Sequence, residues 1–99
     1  MPQLVGKVIK VLEPVSGEKE GKMWVRSQFA VMTMDDNARI VAFDAFGEER
    51  VAQVANLQPS QTVIVEYTPE SHEFGLKYYT SLRCRRVSIT QAVQQNKES

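Results

Sequence analysis

Residues 40–57 read Ile-Val-Ala-Phe-Asp-Ala-Phe-Gly-Glu-Glu-Arg-Val-Ala-Gln-Val-Ala-Asn-Leu, and the spacing of their apolar positions changes at Gly47. Before the glycine, Val41, Phe43 and Ala45 alternate as they do on one face of a strand. After it, Val51, Val54 and Ala55 follow a period near 3.6, which predicts a helix over Glu48–Asn56. Glycine permits the abrupt backbone change between the two. Glu48 and Glu49 fall in the first helical turn, where negative side chains suit the positive end of the helix dipole. One short helix inside a chain that is otherwise strand-like points to a small barrel.

Working outward, Asp35-Asp36-Asn37 is a tight-turn signal that sets a strand over Ala38–Phe46 antiparallel to one over Met23–Met34. In the latter, Val25, Phe29 and Val31 share one face, and Trp24, Arg26, Gln28 and Ala30 share the other. Further upstream, Leu4–Leu12 is a strand whose Gly6 marks a bend or bulge. Glu13–Lys22, with Pro14, Ser16, Gly17 and Gly21, is a mobile loop or the tip of a long hairpin. Downstream, Gln58-Pro59-Ser60-Gln61 precedes a strand over Thr62–Tyr67. A loop containing Pro69, His72 and Gly75 leads to a last strand over Leu76–Ile89.

In that last strand Tyr78, Thr80, Leu82 and Cys84 lie on one face and Tyr79, Ser81, Arg83 and Arg85 on the other, and the pair Arg85-Arg86 predicts a one-residue slip. Residues 1–89 thus form one domain and 90–99 a polar, flexible tail. Five strands with a helix between the third and fourth is the order of an all-β OB-fold, a Greek-key barrel. A plain meander with a helix laid across it is the alternative. The strands over 4–12, 23–34 and 76–89 are long enough to serve in two sheets each, which favours the barrel.

The 99 residues leave room for one domain, and 42% hydrophobic composition supports a modest core. Twelve basic and twelve acidic residues cancel, so no overall field draws the chain to nucleic acid or an anionic membrane; only local charge can. The N-terminus lacks the features of a secretory signal, and no apolar run spans a bilayer, so a cytoplasmic protein is expected.

An enzyme is not expected, because no general base, nucleophile or metal set converges. Cys84 faces the core and His72 sits in a solvated loop, so neither a metal nor a cofactor is expected. Asp35-Asp36 is explained by turn chemistry. Phe29, Phe43 and Phe46 are assigned to the core.

The pattern that points to a ligand is basic and aromatic. Trp24 with Arg26, and Tyr79 with Arg83 and Arg85, place flat π faces beside cations on two outer strand faces. Unpaired bases and phosphates require such an arrangement. Lys22 and Lys77 extend the positive track, as Lys7, Lys10 and Lys19 can. Phe74 lies in the loop before the last strand, where OB-folds grip ligands. Lys77–Arg86 holds four cations and no acid, and the balancing acids cluster in Asp35–Asp44, Glu48–Glu49 and Glu66–Glu73.

These features resemble bacterial single-stranded DNA-binding proteins and the related primosomal OB-fold proteins over roughly Leu4–Ile89. The resemblance rests on Gly6, Phe29, the junction Val41–Glu49, the turn Leu57–Gln61 and Tyr79-Thr80-Ser81-Leu82. The chain is more similar still to a family of short bacterial proteins of unassigned function. In that family a Gly-Lys start, a Trp followed five residues later by Phe, a Phe-x-x-Phe/Trp-Gly junction and a final aromatic-Thr strand recur. Trp24, Phe29, Phe43, Phe46, Gly47, Tyr79 and Thr80 fit those positions.

The resemblance implies binding of single-stranded DNA or RNA, a dimeric or tetrameric homo-oligomer, and partners among replication or repair proteins. Proteins of this pattern recruit partners through an acidic tail with an apolar tip. This chain ends Gln-Gln-Asn-Lys-Glu-Ser, so recruitment by that route is not expected. The alternative function is an assembly module that does not bind nucleic acid, for which Val25, Ala30, Met32 and Met34 supply an exposed apolar surface.

Overall fold

A computed structural model describes residues 1–90, and the tail expected over 90–99 lies, apart from Thr90, outside the described residues. In chain order the elements are β1 (Gln3–Val11), β2 (Val15–Lys19), β3 (Lys22–Thr33), β4 (Ile40–Phe46), α1 (Glu48–Ala55), β5 (Thr62–Phe74) and β6 (Lys77–Ile89). The strands are ordered β1-β5-β6-β4-β3-β2, and β1 also pairs with β3. Five strands therefore close a ring, with β2 added outside it on β3.

The ring closes through β1. Its first half pairs with β5, from Gln3 opposite Glu66 to Lys7 opposite Thr62. Its second half pairs with β3, from Gly6 opposite Thr33 to Val11 opposite Phe29. A bulge at Ile9, between the Val8 and Lys10 pairs, bends the strand. The bend is thus three residues beyond Gly6. Gly6 serves closeness instead: a Cβ there would lie 2.6 Å from the Met32 carbonyl oxygen.

The expected slip in the last strand is present. Glu66 faces Arg86 and Tyr67 faces Cys84, which leaves Arg85 as the extra residue. The ring is thinnest between β4 and β6, which run parallel and pair at Asp44 and Arg83.

Two expected loops are hairpins. In the stretch expected as a mobile loop or hairpin tip, Val15–Lys19 pairs with Lys22–Arg26, and the turn places Glu20 and Gly21 at φ 52° and 80°. Two left-handed residues in a two-residue connection match the right-handed twist of paired strands. The stretch with Pro69, His72 and Gly75 is the distal half of β5. It pairs with β6 as far as Phe74 opposite Lys77, so the β5–β6 hairpin extends as an arm. Its side chains from Pro69 to Tyr79 are exposed on both faces, and no apolar alternation marks it as a strand. With this arm the molecule measures 54 × 31 × 22 Å. The third expected strand begins at Ile40 rather than Ala38, because Thr33 Oγ1 holds the loop by donating to Asp35 Oδ1 at 3.0 Å and accepting from the Arg39 N–H at 2.9 Å.

The core joins Val8, Phe29, Val31, Phe43, Ala45, Val63, Val65 and Cys84 from the strands to Val51, Val54 and Leu57 at the helix. Phe43 packs between Phe29 and Tyr67, with ring centroids 5.5 and 5.3 Å away. Val51, Val54 and Leu57 are buried, as expected of residues by which the helix plugs one end of the barrel, whereas Ala55, which shares their helical period, is exposed. Val25, expected on an exposed patch, is half-buried against the core; Ala30 and Met32 are also half-buried, whereas Met34 is exposed.

Gly6→Val tests the closure. The added side chain must displace backbone, so the variant is expected to lose about 1–3 kcal/mol, read as a lower urea midpoint at an unchanged slope. An unchanged midpoint contradicts the close approach.

Candidate nucleic-acid interface

Alternation along β3 puts Lys22, Trp24, Arg26 and Gln28 on its outer face. Alternation along β4 puts Ala42, Asp44 and Phe46 opposite them, with Arg26 facing Phe46 and Gln28 facing Asp44. On β6 the same face carries Lys77, Tyr79, Ser81 and Arg83, and their partners on β5 are Phe74, His72, Glu70 and Thr68. The bulge residue Arg85 joins this face, since its Nε donates to Thr68 Oγ1 at 3.1 Å. One surface therefore runs from the β2–β3 hairpin across the ring and out along the arm.

Two aromatic-cation groups stand on it. At the ring, the Arg26 guanidinium lies 5.3 Å from the Trp24 ring centre, and the Arg83 guanidinium lies 4.4 Å from that of Phe46. On the arm, Lys77 Nζ lies 5.5 Å from the Tyr79 ring, and Phe74 and Tyr79 are 6.5 Å apart. Tyr79 and Arg83 are separated along β6 by about 13 Å at the usual strand rise. The expected residues thus fall into two groups, Trp24, Arg26 and Arg83 at the ring and Phe74, Lys77 and Tyr79 on the arm. Lys22 and Arg85 share the face.

Trp24 is held by its neighbour across the hairpin. It pairs with Gly17, where a Cβ would come within 2.6 Å of the indole, so the ring lies against bare backbone. A hollow of about 530 Å³ separates Trp24 from Phe46, with Met23, Val25 and Gly47 on its walls.

Phe46 corrects the core assignment made for it, since it is 42% exposed. Phe43 and Ala45 point inward, so strand alternation turns Phe46 outward. That parity is present in the sequence, so Phe46 belongs to this surface on the same grounds as Asp44. The separation of charge is also less complete than the sequence suggests. Glu70 pairs with Arg83 at 3.3 Å, and Asp44 lies on the same face.

Groups suited to catalysis are not gathered here. Cys84 is buried, and burial pushes its thiol above the ordinary pKa, against the opposing pull of the Arg50 charge and a backbone hydrogen bond at Arg86. His72 is exposed on the arm opposite Tyr79. Among the described residues no three His, Cys, Asp or Glu side chains are grouped to hold a metal, and no helix is long and apolar enough to cross a membrane.

Residues 3–88 match a family described as a domain of unknown function, DUF3127. The chain belongs to that family. No curated protein matches it.

Among solved structures, a mitochondrial single-stranded DNA-binding protein of S. cerevisiae, Rim1, is similar at TM-score 0.70 and 12% identity, covering 89% of this chain and 91% of its own. The dimeric N-terminal domain of PriB from Thermoanaerobacter tencongensis is similar at TM-score 0.64 and 21% identity, over 90% and 93%. The OB domain of Ta0387 from Thermoplasma acidophilum is similar at TM-score 0.53 and 20% identity, over 90% and 74%. At these identities the likeness establishes the fold. The five-strand ring with its helix between the third and fourth ring strands is an OB-fold, and β2 is an addition to it.

The raised Cys84 pKa gives a signed prediction. The unfolded thiol ionises first, so the contribution of Cys84 to stability is full below about pH 8.5 and is lost as pH rises through the higher folded value. The urea midpoint of the native chain should therefore fall more steeply above that pH than that of Cys84→Val. Parallel curves contradict the assignment.

Proposed function

We propose that this chain binds single-stranded nucleic acid, DNA in preference to RNA, without catalysing a reaction. Bases stack on Trp24, Phe46, Tyr79 and Phe74, phosphates are met by Lys22, Lys77, Arg83 and Arg85, and Arg26 supplies further donors to the strand beside Trp24. The observation that carries this reading is the alignment of two aromatic-cation groups on one outer strand face. Stacking on such rings contributes about 1–3 kcal/mol per base and tolerates any sequence.

The Arg83–Glu70 pair does not oppose the reading. A partly exposed ion pair contributes about 0–1 kcal/mol, so exchanging Glu70 for a phosphate costs little. The likeness to Rim1, described as a single-stranded DNA-binding protein, supports DNA as the ligand.

A homo-oligomer is part of the proposal, supported by the dimeric PriB domain of the same fold. A cytoplasmic role beside replication or repair proteins belongs to the same proposal. A second reading, an assembly module, is favoured by Met34 and Ile40, which are exposed and apolar at the end of the sheet remote from Trp24.

The test uses Trp24, the one tryptophan of the chain. Oligothymidine should quench its fluorescence, with an affinity that falls steeply as salt rises because phosphate contacts release counterions. Trp24→Ala, followed by a fluorescein-labelled strand, should weaken binding by about 1–3 kcal/mol. Absence of both quenching and salt dependence leaves the assembly reading in its place.

A further inference from the structure

The two acids on the basic and aromatic face are held differently. Glu70 is engaged by Arg83. Asp44 has no cationic partner among the described residues; its Oδ1 accepts a hydrogen bond of 2.8 Å from Gln28 Nε2 across the β3–β4 ladder. That bond orients the carboxylate, and it leaves Oδ2 and one lone pair of Oδ1 free.

The pair lines a cavity of about 360 Å³ with Leu12, Glu13, Arg26 and Phe46 around it. Ser27, whose buried hydroxyl finds no hydrogen-bond partner among the described residues, also lines it. An open cavity of this size, with Leu12, Val15 and Phe46 as its apolar members and polar groups on the remaining wall, has room for one planar base. The carboxylates of Asp44 and Glu13 repel a phosphate, so the part of a strand that enters is a base.

Resting on the nucleic-acid reading above, we infer that this cavity selects guanine, and that Asp44 is the residue that reads it. An ionised carboxylate only accepts hydrogen bonds. The Watson–Crick edge of guanine presents two adjacent donors, the ring N1–H and the 2-amino group, which match the two oxygens of a carboxylate as a parallel pair. Its neighbouring O6 is an acceptor, and Arg26 on the cavity wall is the donor for it.

The other bases fit less well. Thymine offers one donor flanked by two acceptors. Adenine and cytosine each set a ring-nitrogen acceptor beside their amino group, and that lone pair faces the carboxylate. Stacking alone is sequence-tolerant, so a preference at a single position is the separable signature of this cavity.

The experiment titrates the full chain against labelled oligothymidine carrying one central guanine, inosine, adenine or thymine. The guanine strand should bind at least about fivefold more tightly than the thymine strand. Inosine keeps N1–H but lacks the 2-amino group and should lose most of that gain, and Asp44→Asn should bring the guanine-to-thymine ratio close to one. Equal affinity for guanine and thymine strands overturns the inference while leaving the binding function in place. A guanine preference that inosine or Asp44→Asn retains overturns the assignment to Asp44. Binding to none of the strands overturns this inference and the proposed function together.

Discussion

The ring of strands exists because β1 serves two partners at once. At Gly6 and Lys7 it is paired with β3 on one side and β5 on the other, and the Gly6 backbone lies against the Met32 carbonyl at a distance no side chain permits. With both neighbours fixed there, Val8, Val63 and Val65 are sealed inside together with Phe29 and Phe43. Each such side chain contributes about 1.5–3 kcal/mol by leaving water, so opening the ring at this point would forfeit several of them. The bulge at Ile9 bends β1 just beyond this corner, and the one at Arg85 bends β6 along β5.

Closure also decides what faces outward. Phe43 and Phe46 are three residues apart on one strand, so the pleat sends them to opposite faces, one to the centre of the core and one to the outer surface beside Arg83. The same strand pairs with β6 at Asp44 and Arg83. The surface proposed for nucleic acid therefore lies over the thinnest seam of the ring, and its charge is mixed. Arg26 and Arg83 are each laid over an aromatic ring, while Asp44 is tied to Gln28 instead of to either arginine.

Most of the ring was legible because its signals are local. Gly47 separates two hydrophobic periods, Arg85-Arg86 forces a slip, and Asp35–Asn37 announces a turn. Each agrees with the structure to within a residue or two. The arm was not legible, because Ser71, His72 and Glu73 are exposed in a two-sided hairpin and carry no alternation for a reader to find. β2 was legible only as one of two alternatives, a hairpin tip or a mobile loop, because its five residues depend on Trp24 and Val25 across the turn for their pairing. At the surface, Trp24, Arg26, Tyr79 and Arg83 were found from composition and parity. Phe46 was missed because an aromatic beside a helix start was read as core, against the parity of its own strand.

One face, running from Trp24 across Phe46 and Arg83 to Tyr79, is proposed to meet the ligand. Backbone amide shifts of the isotope-labelled chain, recorded as oligothymidine is added, map that face residue by residue. Shifts are expected in β3, β4, β6 and the arm, with α1 and the first half of β1 unmoved. Shifts confined to α1 or β1, or none at saturating strand, would contradict that placement.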